Sequence, residues 1–118
     1  LSQPGALPAV FHCAAGKDRT GVLAMLLLGS LGVPPAHLVA DYALTGEGIE
    51  RMRVWAQREA PGMWERLADT PSAFMAAAPE AMERVIASIL AHGTIRDYTP
   101  GLGVSAAALD RLGAALLV

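Results

Sequence analysis

Residues 10–21 read VFHCAAGKDRTG and contain the chain's single cysteine, Cys13, with Arg19 after it in a Cys-x5-Arg spacing. A cysteine is a nucleophile only as its thiolate. Helix N-termini, nearby cations and backbone N–H donors produce that state, bringing a thiol from about 8.5 down to roughly 3.5–7.5. This stretch supplies all three. The small residues Ala14, Ala15 and Gly16 let backbone amides converge as an anion nest. The apolar run that follows predicts a helix from about Thr20 whose positive end faces the sulfur. The planar fork of Arg19 can hold two oxygens of a tetrahedral phosphate, a geometry that lysine does not copy. A thiolate and a phosphate gathered at one point suit attack of sulfur on phosphorus, giving a phosphocysteine that water then hydrolyses.

The elements that must hold this loop follow from the pattern around it. Ala9 to His12 is short, apolar and β-leaning after the turn-like QPGALP, and predicts a buried strand ending at Cys13. Thr20 to Leu31 is apolar all round, as expected of a central helix packed on every side, and Gly32 ends it before Val33-Pro34-Pro35. Pro35 opens a helix with Leu38, Val39, Tyr42 and Ala43 on one face, broken by Thr45 to Gly48. A further helix carries Ile49, Met52 and Ala56, with Glu47 and Arg51 as an i,i+4 pair on its wet side. Ala60 to Pro79 is punctuated by Pro61, Gly62, Pro71 and Pro79. It reads as an irregular segment, either a core-packing loop holding Trp64, Phe74 and Met75 or a lid. Met82, Val85, Ile86, Ile89 and Leu90 recur at helical spacing up to Gly93. Ser105 caps a last helix that turns Leu109, Leu112 and Leu116 inward.

Composition sets the outer bounds. With 118 residues and 53% hydrophobic residues the chain is one domain at most, and globular rather than disordered. A net charge of −2 argues against nucleic acid or an anionic membrane as a general partner, so any anion site is local. The run Gly21 to Val33 is shorter than the roughly 20 residues that span a bilayer. One cysteine makes no internal disulfide, which fits a cytoplasmic location and leaves secretion open. No histidine pairs with Cys13 at a metal-ligand spacing, so no metal and no cofactor is expected.

HCAAGKDRTG resembles the signature loop of the cysteine-dependent protein tyrosine phosphatases, and GKDRTG is most similar to their bacterial tyrosine- and lipid-phosphatase branch. Asp41 to Glu47, DYALTGE, resembles a segment that follows the loop helix in that branch, and the tail GTIRDYTPGLGVSAAALDRL is similar to its C-terminal pattern. The resemblance implies an α/β tyrosine-phosphatase-like domain of which residues 1–118 are the C-terminal half, one strand leading into the loop and otherwise mostly helical. The strand before the loop would then take its partners from a missing N-terminal half or from a second copy. It implies Cys13 as nucleophile, Arg19 as phosphate clamp and the amides of Ala14, Ala15, Gly16, Lys17, Asp18 and Arg19 as the phosphate cradle. Thr20 would hydrogen-bond the sulfur. Asp18 is the branch's candidate for the general acid, with a purely structural ion pair as the alternative. Lys17 would stand at the rim, where the branch associates positive charge with phosphoinositides besides phosphotyrosine; a solvated rim charge is the plain alternative.

Other readings compete with this one. GKDRTG is not a nucleotide P-loop, because Asp18 stands where Ser or Thr must follow Gly-Lys. A rhodanese-like sulfurtransferase also sets a cysteine in an anion loop, but its chemistry gives no reason for Lys-Asp-Arg-Thr-Gly entering a helix. A truncated fragment that binds phosphate without hydrolysing it is the non-enzymatic alternative.

Overall fold

Gly32 and the Val33-Pro34-Pro35 run separate the two longest helices of the chain. The computed structural model describes residues 1–117, and their side chains except those of 67, 72 and 73. Helix α1 runs Asp18–Ser30 and α2 runs Pro35–Glu59. Gly32 between them has φ +94°, a conformation open to glycine without strain. Pro34 is extended, and Pro35 occupies the first turn of α2, where its missing N–H costs nothing. Then come α3 (Pro61–Ala68), α4 (Ser72–Met75), α5 (Pro79–Leu90), α6 (Ile95–Tyr98), a 3₁₀ turn over Thr99–Leu102 and α7 (Ala106–Leu116).

The core is where α1, α2, α5 and α6 meet. Met25, Leu38, Tyr42, Met82, Ile86, Ile89 and Ile95 form one buried cluster, with Ala77 joining from the link into α5. Gly29 lets α6 approach α1: a Cβ there would stand 2.5 Å from Ile95 Cδ1. Thr94 and Asp97 close a capping box on α6, and Ser105 accepts from the Ala108 amide at the start of α7. As expected, α7 buries Leu109 and Leu112, but Leu116 is exposed.

Four expectations need correction. No strand occurs among the described residues. Residues 9–13 have no regular structure and Val10 is 93% exposed, so the expected strand is not formed among the described residues, whose regular structure is the expected helical half. A strand exists only by pairing, and no strand pairing involves this segment among the described residues. The break expected at Thr45–Gly48 is absent, because α2 continues through Gly46 and Gly48. Each glycine costs roughly 1 kcal/mol against alanine. Burial of Leu38, Tyr42, Ile49 and Ala56 along one stripe, with Glu47–Arg51 and Glu50–Arg53 pairs outside, outweighs that cost.

Residues 61–75, expected to be irregular, contain α3 and α4, with Pro61 and Pro71 standing at or just before helix starts rather than inside helices. Here Phe74 is 72% exposed and not core, while Trp64 is half-buried under the Arg53 guanidinium, 5.5 Å from its centroid. Finally, α1 is not enclosed. Val22 and Leu23 are exposed, and the radius of gyration, 16.6 Å, exceeds the about 13.5 Å of a compact chain of this length. No helix among the described residues is long and apolar enough to cross a membrane.

Candidate active site

Residues 14–17 bend between the irregular segment and α1, and Gly16 makes the bend possible with φ +64°. Helix α1 begins at Asp18, two residues earlier than the sequence pattern indicates, and the Gly21 amide donates to the Lys17 carbonyl at 2.6 Å to close its first turn. The turn brings the N-terminal amides of α1 back toward Cys13, which is half-buried. The thiol is lowered to about 6, well below the ordinary thiol range. The Thr20 hydroxyl is the largest cause, followed by the Thr20 amide; burial opposes them, and the amides of Lys17 and Gly16 add smaller lowering effects. Thr20 Oγ1 is itself buried and completes no hydrogen bond among the described residues. An ionised sulfur, a far stronger acceptor than a thiol, is the acceptor this hydroxyl would take. His12 Nδ1 lies 3.3 Å from the Cys13 carbonyl and contributes to the backbone rather than to the sulfur.

The other predicted residues divide. Ala14, Ala15 and Gly16 are exposed along the bend. Arg19 is exposed in the first turn of α1 and takes part in no ion pair among the described residues. With Asp18, Val22, Leu23 and Leu26 it lines a shallow groove of about 330 Å³. Lys17 is not at a solvated rim: its side chain is buried, and Nζ donates to the carbonyls of Phe74 at 2.6 Å and Ala76 at 3.0 Å. Two carbonyls satisfy an ammonium well enough to bury it, and this draws the loop onto the segment after α4. Lys17 Nζ also lies 3.5 Å from Asp18 Oδ1, but that carboxylate is mostly exposed, so the pair adds little.

One residue that the sequence pattern assigned to core alone touches the loop. Tyr42, buried in α2, donates from its hydroxyl to Asp18 Oδ1 at 3.3 Å. Burial first, then the Asp18 charge and this hydrogen bond, push the phenol above its ordinary value, so it remains a donor. The signal available in sequence was Gly21. A Cβ there would sit 2.7 Å from the Tyr42 ring, so the Thr-Gly ending of the loop makes room for the tyrosine of DYALTGE. The cavity between α1, α7 and the 3₁₀ turn, about 330 Å³ and lined by Leu23, Leu26, Leu27, Leu109 and Leu112, holds none of the loop residues. Among the described residues no three His, Cys, Asp or Glu gather closely enough to hold a metal ion.

A family profile described as "Tyrosine phosphatase family" matches residues 1–118. The chain belongs to the tyrosine phosphatase family. Among curated relatives of this phosphatase-family chain, a tyrosine-protein phosphatase of Nostoc commune is 52% identical over 48 residues, 41% of this chain and 16% of the relative. The triple specificity protein phosphatase PtpB of Mycobacterium tuberculosis is 25% identical over 127 aligned positions, 93% of this chain and 44% of the relative. The chain thus spans less than half the length of either phosphatase. No solved structure matches it significantly.

Proposed function

We propose that the whole protein is a phosphomonoester hydrolase of the bacterial tyrosine-phosphatase branch, acting on phosphotyrosine in proteins through a phosphocysteine on Cys13. The observation that carries the proposal is the Cys13 thiol, lowered to about 6 by Thr20 and the amides that open α1, with Arg19 in the same helical turn. At neutral pH a thiol of that acidity is mostly thiolate, and its neighbourhood of N–H donors suits the anion it would attack. In the first step the sulfur forms a bond to phosphorus as the bond to the tyrosyl oxygen breaks, and the departing oxygen takes the proton of Asp18. In the second step water attacks phosphorus, gives a proton back to Asp18, and the sulfur leaves as thiolate stabilised by Thr20. The amides of residues 14 to 19 and the Arg19 fork hold the phosphoryl oxygens throughout.

A phosphoinositide substrate rested on a cationic rim at Lys17. With that ammonium engaged by Phe74 and Ala76, phosphotyrosine is the better supported class. The partners of Ala9 to His12 come from outside the described residues, from the rest of an α/β domain or a second copy. Support for this comes from the unpaired, exposed Val10 and the open face of α1.

The test is kinetic. Cys13→Ser abolishes turnover of every aryl phosphate while leaving phosphate binding measurable. Asp18→Asn slows phosphotyrosine far more than an activated aryl phosphate, whose leaving oxygen hardly needs a proton. Turnover surviving in Cys13→Ser overturns the proposal. Binding of phosphate without turnover in the unaltered protein would favour the non-catalytic reading instead.

A further inference from the structure

Asp18 stands at the first position of α1 with its side chain mostly exposed, a setting in which a carboxylate has little to hold it in one orientation. Oδ1 nevertheless meets two donors: Lys17 Nζ at 3.5 Å from the loop itself, and the Tyr42 hydroxyl at 3.3 Å from the middle of α2. The second donor is the better anchored. The Tyr42 ring is buried in the cluster with Met25 and Met82, and a Cβ on residue 21 would come within 2.7 Å of it. A buried tyrosine needs an acceptor for its hydroxyl, and among the described residues Asp18 supplies it.

We propose that Tyr42 is a positioning residue for the proton transfer: by donating to Asp18 Oδ1 it fixes the carboxyl and leaves Oδ2 as the oxygen that carries the proton. The inference rests on the reading of Asp18 as general acid. Oδ1 accepts from Tyr42 both before and after transfer, because only the proton on Oδ2 moves to the leaving oxygen and only Oδ2 takes one back from water. The hydroxyl therefore never has to give up its own proton. The contact also ties two separate stretches of sequence together. Gly21, in the first turn of α1, clears the space that Tyr42, in DYALTGE, needs in order to reach the residue three positions before that glycine.

The test uses the whole protein, with phosphotyrosine and p-nitrophenyl phosphate as the poor and good leaving groups. Tyr42→Phe keeps the ring and removes the hydroxyl. It is expected to slow phosphotyrosine turnover roughly 3- to 10-fold more than p-nitrophenyl phosphate turnover, in kcat rather than KM. Asp18→Asn with Tyr42→Phe is expected to be no slower than Asp18→Asn alone, because the hydroxyl acts only through the carboxyl. Protection of Cys13 from iodoacetate by phosphate is expected to survive in Tyr42→Phe, since the loop itself is intact. Equal slowing of both substrates, additive effects in the double variant, or loss of phosphate protection overturns the role of Tyr42. Each of these leaves the assignments of Cys13 and Asp18 standing. If Asp18→Asn alone shows no leaving-group dependence, or Cys13→Ser keeps turning over, the underlying reading falls and this inference falls with it.

Discussion

Lys17 Nζ donates to the backbone carbonyl of Phe74 at 2.6 Å, joining the bend before α1 to a segment 57 positions away. The ammonium also reaches the Ala76 carbonyl, so one side chain sets the distance between the loop and the α4–α5 link. Lys17→Met keeps the length and apolar stem but leaves both carbonyls without this donor. It is expected to lower stability by roughly 1–3 kcal/mol and to speed proteolysis within residues 69–78. Denaturant melts and limited proteolysis read the two effects. A variant as stable and as resistant as the parent would show that the buried ammonium holds nothing.

Gly21 is where α1 makes room for the Tyr42 ring of α2. Alanine there would place its Cβ 2.7 Å from the Tyr42 ring, and a ring already packed in the core has little room to retreat. Gly21→Ala is expected to destabilise the fold by about 1–3 kcal/mol despite the better helix propensity of alanine. Gly46→Ala, with nothing within 4 Å of the added Cβ, is expected to stabilise. Thermal melts of the two variants moving in the same direction would contradict this packing.

These two glycines show what the sequence alone could and could not reveal. The bend at Gly16 was legible because glycine and small residues shape the backbone locally, and the proposal for Cys13 and Arg19 is local too: a thiol and a fork within seven positions. The stripe of α5 and the cap at Ser105 were legible because periodicity and capping are local as well. Gly46 and Gly48 read as a break because propensity speaks for the isolated segment. The continuation of α2 is decided by Tyr42, Ile49 and Ala56 packing against other helices. The burial of Lys17 was not legible, since its partners are carbonyls, which carry no side-chain signature. The strand at Ala9–His12 failed because strand-like composition needs a partner to become a strand, and the described residues offer none.

The acidity of Cys13 predicts its reactivity directly. Iodoacetate labelling of the whole protein is expected to rise with a midpoint near pH 6, because the thiolate fraction grows as pH passes the lowered value. Phosphate or vanadate is expected to protect. Thr20→Ala removes the largest cause of the lowering and is expected to move the midpoint upward, toward the ordinary value of about 8.5. A midpoint already near 8.5 in the unaltered protein, insensitive to Thr20, would remove the electrostatic argument for this loop.

The most direct measurement is to trap the covalent intermediate. The whole protein is mixed with a phosphotyrosine peptide or an activated aryl phosphate, quenched in acid within milliseconds to seconds, digested and read by mass spectrometry. Phosphate is expected on the peptide that contains Cys13, lost on base treatment and absent in Cys13→Ser. Asp18→Asn is expected to lower the trapped fraction with the peptide, where formation needs its proton, and to raise it with the activated substrate, where only the water step still needs the carboxylate. Phosphate on any other residue, or hydrolysis that proceeds in Cys13→Ser, would contradict a phosphocysteine route through this loop.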